Sequence, residues 1–235
     1  MASTAHPARP IVTILEIDPE AIAFETELSA LLPAATQARL AAFRHPARRR
    51  QTLWGRLAAL AEARRLGLAL TERPPYSPML ADADGCERML SIAHTGSYVA
   101  LGVACAADPV MGLDLETVRP VRSVPAMSEA AFGAAVRWPV VECERRQSLD
   151  PFFLVWGMKE SEIKLNRGGS RYRLQAPSEE AFPVVTDTET GDALSLFSFE
   201  DGALRLTVLT GRETPTLIRQ TASELAAAIL KTEDL

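Results

Sequence analysis

Short apolar runs alternate with longer stretches of helical spacing along this chain. Ile11-Val12-Thr13-Ile14-Leu15-Glu16-Ile17 is rich in β-branched residues and stops at Asp18-Pro19, the pattern of a strand running into a turn. Residues 20–32 and 34–44 carry helical spacing and are split by Pro33. A longer helix is expected from about Ala47 to Leu66, with Leu53, Leu57, Leu60 and Ala61 as its buried stripe and Arg49 and Arg56 two turns apart along its border. Thr71 to Gly85 holds Pro74, Pro75, Pro78 and Gly85 and reads as a loop or a poorly paired extended segment near the surface.

Two apolar runs, 89–93 and 98–104, flank a polar break at His94-Thr95-Gly96-Ser97; the second fits strand or helix. Residues 126–147 are a mixed helical stretch interrupted by Pro139, and 151–165 form a clear helix after Asp150-Pro151. Leu194 to Phe199, Asp201-Gly202 and Leu204 to Leu209 make a hairpin, and 222–231 a short helix. Each half thus offers a charged helix followed by strands, which hints at a pseudo-duplication without any fixed-period repeat. The expected division is 1–110, with the basic helix and the His94 turn, and 111–235, with the acidic strand, a lysine-glutamate helix and the hairpin.

Hydrophobic residues at 47% and charged residues at 23% mark ordinary globular usage. No run of about 18 apolar residues is present, and Met1 to Pro7 lacks a secretory pattern, so a cytoplasmic protein without a membrane span is expected. Cys86, Cys105 and Cys143 form no short-spaced pair and read as reduced packing residues. The net charge of −5 is unevenly spread, because residues 39–73 hold nine arginines against Glu62 and Glu72, a local +7 that leaves −12 elsewhere. A basic surface on an acidic protein points to a compact anionic ligand or an acidic partner protein, not to nucleic acid.

Candidate chemistry gathers in two runs. In Gly112-Leu113-Asp114-Leu115-Glu116 the acids alternate with leucines, so on a strand both carboxylates share one face. Like charges that close raise each other's pKa unless a cation sits between them, and hard oxygen ligands suit Mg²⁺, with Mn²⁺ as a substitute. In Trp156-Gly157-Met158-Lys159-Glu160-Ser161-Glu162-Ile163-Lys164, Glu160 and Lys164 share a helix face, and Trp156, Met158 and Ile163 are expected to bury part of the helix around them. Taken alone, Glu160 and Lys164 also fit a plain surface ion pair. His94 could donate to a diphosphate oxygen, aided by Ser91 and Thr95. Arg48, Arg49 and Arg50 oppose the dipole at a helix start, which favours a ligand-binding purpose.

These residues resemble the 4′-phosphopantetheinyl transferases, specifically the larger surfactin-synthetase-activating class. Ser91-Ile92-Ala93-His94-Thr95-Gly96 is similar to that family's Asn-Ile-Ser-His-Ser-Gly turn, Gly112 to Glu116 to Gly-Ile-Asp-Ile-Glu, and Trp156 to Lys164 to Trp-Ser-Met-Lys-Glu-Ser-Phe-Ile-Lys. Weaker similarity through Phe43-Arg44-His45 and Thr52-Leu53-Trp54-Gly55 extends the resemblance over roughly residues 40–170. It implies an α+β fold of two similar α/β subdomains in pseudo-twofold arrangement with the active site in the cleft between them. It implies Mg²⁺-dependent transfer of phosphopantetheine from coenzyme A, a co-substrate, to a serine of an acyl, polyketide or peptidyl carrier protein, releasing 3′,5′-ADP. Asp114, Glu116 and Glu160 would then hold the metal, and Glu160 or a metal-held water would take the serine proton. Lys164 would neutralise charge on the leaving phosphate, His94 would hold the diphosphate and Lys159 would flank the site. The basic helix, through Arg48, Arg49, Arg50 and Arg56, would bind the 3′-phosphate of coenzyme A or the acidic carrier. An internal pseudo-dimer makes a monomer the expectation.

The sequence departs from the family pattern in four places. Tyr76-Ser77-Pro78 stands for Gly-Lys-Pro, and Ser91 and Ala93 replace the Asn and Ser of the histidine turn. The acid of a Phe-Ser-x-x-Glu element falls on Val136, and Pro46 and Gln51 occupy expected basic positions. Ser77, Ala93 and Val136 motivate an alternative: a coenzyme A or carrier-binding module on the same fold without turnover. Another Mg²⁺-dependent phosphotransferase or hydrolase would need the same acids, but nothing here resembles a phosphate-binding P-loop.

Overall fold

The β-branched run near the start forms strand β1 (Ile11–Glu16), whose first five residues are buried. In this computed structural model residues 9–73, 77–167 and 169–231 are described. Tyr76, the side chain of Ser77 and the N-terminal residues behind the leader expectation lie outside them. The chain divides into two compact units, one running to Pro109 and resuming at Pro215, the other Val110–Thr214.

In the first unit β1 leads through a 3₁₀ turn (Pro19–Phe24) into α1 (Glu25–Ser29), α2 (Ala34–Ala42) and the long α3 (Pro46–Leu66). Pro46 suits the first turn of α3, where its missing N–H is no loss, and Gly67 ends the helix in the left-handed region at φ 66°. The strands β2 (Ala69–Arg73), β3 (Ser77–Ala81) and β4 (Glu87–Arg88) form a small antiparallel sheet. Of the two readings of 71–85, a loop or a poorly paired extended segment, the described residues follow the extended one, with β3 paired to β2 along its length. At Pro78 β3 is paired only with β2, because β4 pairs at Leu80 and Ala81, and an edge position tolerates proline. A hairpin follows, β5 (Leu90–Thr95) and β6 (Tyr98–Val103), so the ambiguous second apolar run is strand.

The second unit opens with β7 (Met111–Thr117), then α4 (Val124–Phe132), α5 (Trp138–Arg146) and α6 (Asp150–Asn166). The break between α4 and α5 falls at Gly133, φ 81°, while Pro139 sits in the first turn of α5. The earlier expectation placed that break at the proline, which a first helical turn accepts without cost. Next come the hairpins β8 (Tyr172–Gln175) with β9 (Val184–Asp187), and β10 (Ser195–Asp201) with β11 (Leu204–Thr210), the latter turning at Gly202. The last elements, β12 (Thr216–Thr221) and α7 (Ala222–Lys231), return to the first unit. There β12 pairs in parallel with β1, while Leu225, Ala226 and Ile229 join the core around Leu53, Trp54 and Leu57. Residues 215–231 therefore do not stay with 111–214 as the sequence division had them.

The sheets run β12-β1-β6-β5 and β10-β11-β7. Leaving β12 and α7 aside, the two units repeat one plan: a strand, three helices, a small antiparallel sheet, then a hairpin whose second strand inserts beside the first strand, antiparallel throughout. In each, the long helix packs on its sheet at a glycine that follows a tryptophan, Gly55 in α3 and Gly157 in α6. The molecule is thus α+β. No helix among the described residues is long and apolar enough to cross a membrane. Cys105 and Cys143 are buried and unpaired as expected, but Cys86 is exposed rather than packed.

Candidate functional site

Alternation along β7 places Leu113 and Leu115 in the core, fully buried, and turns Asp114 and Glu116 to the other face. That face is covered, because α6 lies across β7 and β11. Two glycines permit the close approach: a Cβ on Gly157 would lie 2.4 Å from Thr207 Oγ1, and one on Gly112 would lie 2.7 Å from Leu165 Cγ. Thr207 is the cross-strand neighbour of Asp114. The helix is therefore seated directly over the first acid.

On α6, Trp156, Glu160 and Lys164 fall at successive four-residue steps and share one stripe. Lys164 Nζ donates to Asp114 Oδ1 at 2.7 Å and to the Leu113 carbonyl at 2.9 Å. Trp156 Nε1 donates to Glu116 Oε1 at 3.1 Å. Asp114 is only 6% exposed, and its Oδ2 is buried with no hydrogen-bond partner. Burial first, and then the charge of Asp114, pushes the Glu116 carboxyl above its ordinary value; Glu160 pushes the same way, against the Trp156 hydrogen bond and Arg119. Asp114 and Glu160 thus both act on Glu116 across this face.

Among the described residues no three His, Cys, Asp or Glu side chains close around one point tightly enough to hold a metal ion. Asp114 and Glu116 nonetheless fit a hard cation: an orphaned buried carboxylate oxygen beside a second, charge-stressed carboxylate is the donor set such an ion satisfies. Glu160 acts on Glu116 through its charge. Ile163, expected to help bury the helix, is 51% exposed, whereas Met158 is buried.

Lys159 does not flank these acids. Its Nζ donates to both oxygens of Glu162, at 3.0 and 2.9 Å, and Glu162 Oε2 also accepts from the Leu174 backbone N–H. The pair ties α6 to β8. Sequence reasoning also missed Trp156 as the partner of Glu116, although its position four residues before Glu160 marks it as sharing that stripe.

The remaining predicted residues lie in the first unit. Arg48 Nη1 sits 2.9 Å from His94 Nε2, so these two expected ligands meet. His94 and Thr95 end strand β5 instead of forming the turn, which is Gly96-Ser97. Side chains alternate along β5, so Ser91 and Thr95 project from the face opposite His94 and do not assist it. Glu25 takes the neighbouring arginines: Arg50 Nε donates to its Oε1 at 2.6 Å, and Arg49 lies 3.8 Å from Oε2. Gln51 Nε2 donates to the Gly96 carbonyl at 2.8 Å, and a cavity of about 330 Å³ is lined by Asp18, Arg50, Gln51, Gly96 and Ser97 among others. Arg56 does not belong to this group. It is buried and ion-paired with Glu72, and burial lowers its pKa while Glu72 raises it. Ala93 and Val136 are both buried core positions.

Compared with known proteins, the chain matches no protein-family model, and no curated protein aligns with it significantly.

Proposed function

We propose that the protein is a 4′-phosphopantetheinyl transferase, moving phosphopantetheine from coenzyme A to a serine hydroxyl of an acyl, polyketide or peptidyl carrier protein and releasing 3′,5′-ADP. The observation that carries this reading is the buried Asp114, its orphaned Oδ2 beside the raised carboxyl of Glu116, under a helix that brings Glu160 and Lys164 to the same face. Phosphoryl transfer of this kind depends on positioning and charge neutralisation more than on covalent chemistry by the protein.

In this reading Asp114 and Glu116, with Glu160, hold Mg²⁺, which supplies Lewis-acid stabilisation of the diphosphate. Glu160 accepts the serine proton, and Lys164 offsets charge on the leaving phosphate. Arg48 and His94, which meet within the first unit, are an anion-binding pair of the kind a phosphate takes. The repeated plan of the two units supports the family's two similar subdomains, which belong to the same proposal.

The test is intact mass. Purified protein, Mg²⁺ and coenzyme A are incubated with a panel of apo carrier domains, and one or more is expected to gain the mass of phosphopantetheine. One observation favours the alternative of a binding module: among the described residues no three acids close around a point. If no carrier gains mass while coenzyme A still binds in calorimetry, that alternative replaces the transferase.

A further inference from the structure

Lys164 is already engaged where a cation would go. Its ammonium takes Asp114 Oδ1 and the Leu113 carbonyl, which uses two of its three donors and leaves it tethered to the β7 backbone. Asp114 meanwhile keeps Oδ2 buried and unpartnered. A carboxylate that lies 6% exposed needs compensation, and Lys164 supplies it on one oxygen only. The side chain of Lys164 is itself 27% exposed, so its flexible stem has room to withdraw toward water.

We propose that Lys164 is the resting counter-ion of Asp114, and that it leaves Asp114 Oδ1 when a divalent cation binds the β7 acids. The inference rests on the reading of Asp114 and Glu116 as metal ligands. A dication at these carboxylates repels an ammonium held 2.7 Å from the same carboxylate, and the Leu113 carbonyl keeps the displaced group within reach of the face. Lys164 therefore competes with the metal for Asp114, and the exchange turns a partly exposed ion-pair partner into an available cation. Asp114 and Lys164 balance each other while the site is empty, and the ammonium is released as a separate cation only once the site is loaded.

The probe is Mn²⁺ alone, titrated into the full chain without coenzyme A and followed by electron paramagnetic resonance. Lys164→Met is expected to bind Mn²⁺ roughly tenfold tighter than wild type, about 1.4 kcal/mol, because nothing has to be displaced. Asp114→Asn is expected to lose the site. If Asp114→Asn abolishes binding but Lys164→Met binds no tighter, the metal reading stands and the counter-ion falls alone. If Asp114→Asn binds like wild type, the metal reading fails and takes the counter-ion with it. A second measurement needs no variant: acetic anhydride labelling of the wild-type protein, with Lys231 as internal reference. Mg²⁺ is expected to speed acetylation of Lys164 severalfold, and an unchanged or slower rate overturns the proposal.

Discussion

Arg56 and Glu72 exclude water from each other, with side chains 6% and 3% exposed. Removing one partner of such a pair strands the other charge in the interior. Arg56→Met is therefore expected to cost about 3–5 kcal/mol in urea unfolding, and Arg56→Met/Glu72→Leu to recover most of it. Coenzyme A affinity of the folded fraction should stay as it was; a selective loss of affinity would restore Arg56 as a ligand. Glu116 presents the opposite case, a carboxyl raised chiefly by burial and then by Asp114. A raised native pKa means stability that is full below the unfolded carboxylate pKa and lost as pH rises through the native value. In chelator, Glu116→Gln should melt above wild type at neutral pH, with the gap closing as pH falls into the carboxylate range. A gap that persists at acid pH would place its cause elsewhere. Both acids of β7 were legible in the period-2 alternation of 112–116. The contacts of Lys164 with Asp114 and of Trp156 with Glu116 were not, because residues 50 and 40 apart meet only through the seating of a helix on a sheet.

That seating is decided by glycine. A methyl group at Gly157 would press on Thr207 Oγ1 and Cβ, 2.4 and 2.8 Å away, whereas one at Gly55 would meet the Cγ2 of Ile92 at 3.0 Å. Gly157→Ala is expected to destabilise by about 1–3 kcal/mol in chemical denaturation, and Gly55→Ala by less, since a methyl tip can shift and a strand Cβ cannot. Equal losses would mean that α6 is not held at closest approach. Legibility at this scale followed local signals. The helix from Pro46, the helix after Asp150 and the hairpin at Gly202 all carry their start or stop residues in sequence. Strand β12 carries none, because Thr216 to Arg219 are exposed at a sheet edge and nothing forces alternation. Strand β3 stayed open between loop and extended segment because Pro78 reads as a breaker unless the edge position is known.

The first unit is discontinuous in sequence, with the second inserted between β6 and β12. Ending the chain at Thr214 would remove β12 and α7, including Leu225 and Ile229, at 3% and 2% exposure. Burial of two such side chains is worth about 1.5–3 kcal/mol each, a large part of the roughly 5–15 kcal/mol that holds a domain folded. Hydrogen exchange on the truncated chain is expected to show β1 and α3 unprotected and β7, β11 and α6 still protected. Uniform loss in both units would mean that they do not fold separately. The parallel pairing of Ile11 with Thr216 also sets an order of events during synthesis. Residues 110–214 leave the ribosome as one uninterrupted stretch and have every strand they need. On the nascent chain β1, with its run of buried side chains, keeps one hydrogen-bonding edge open until the last strand emerges, which makes it the stretch that a holding chaperone would shield.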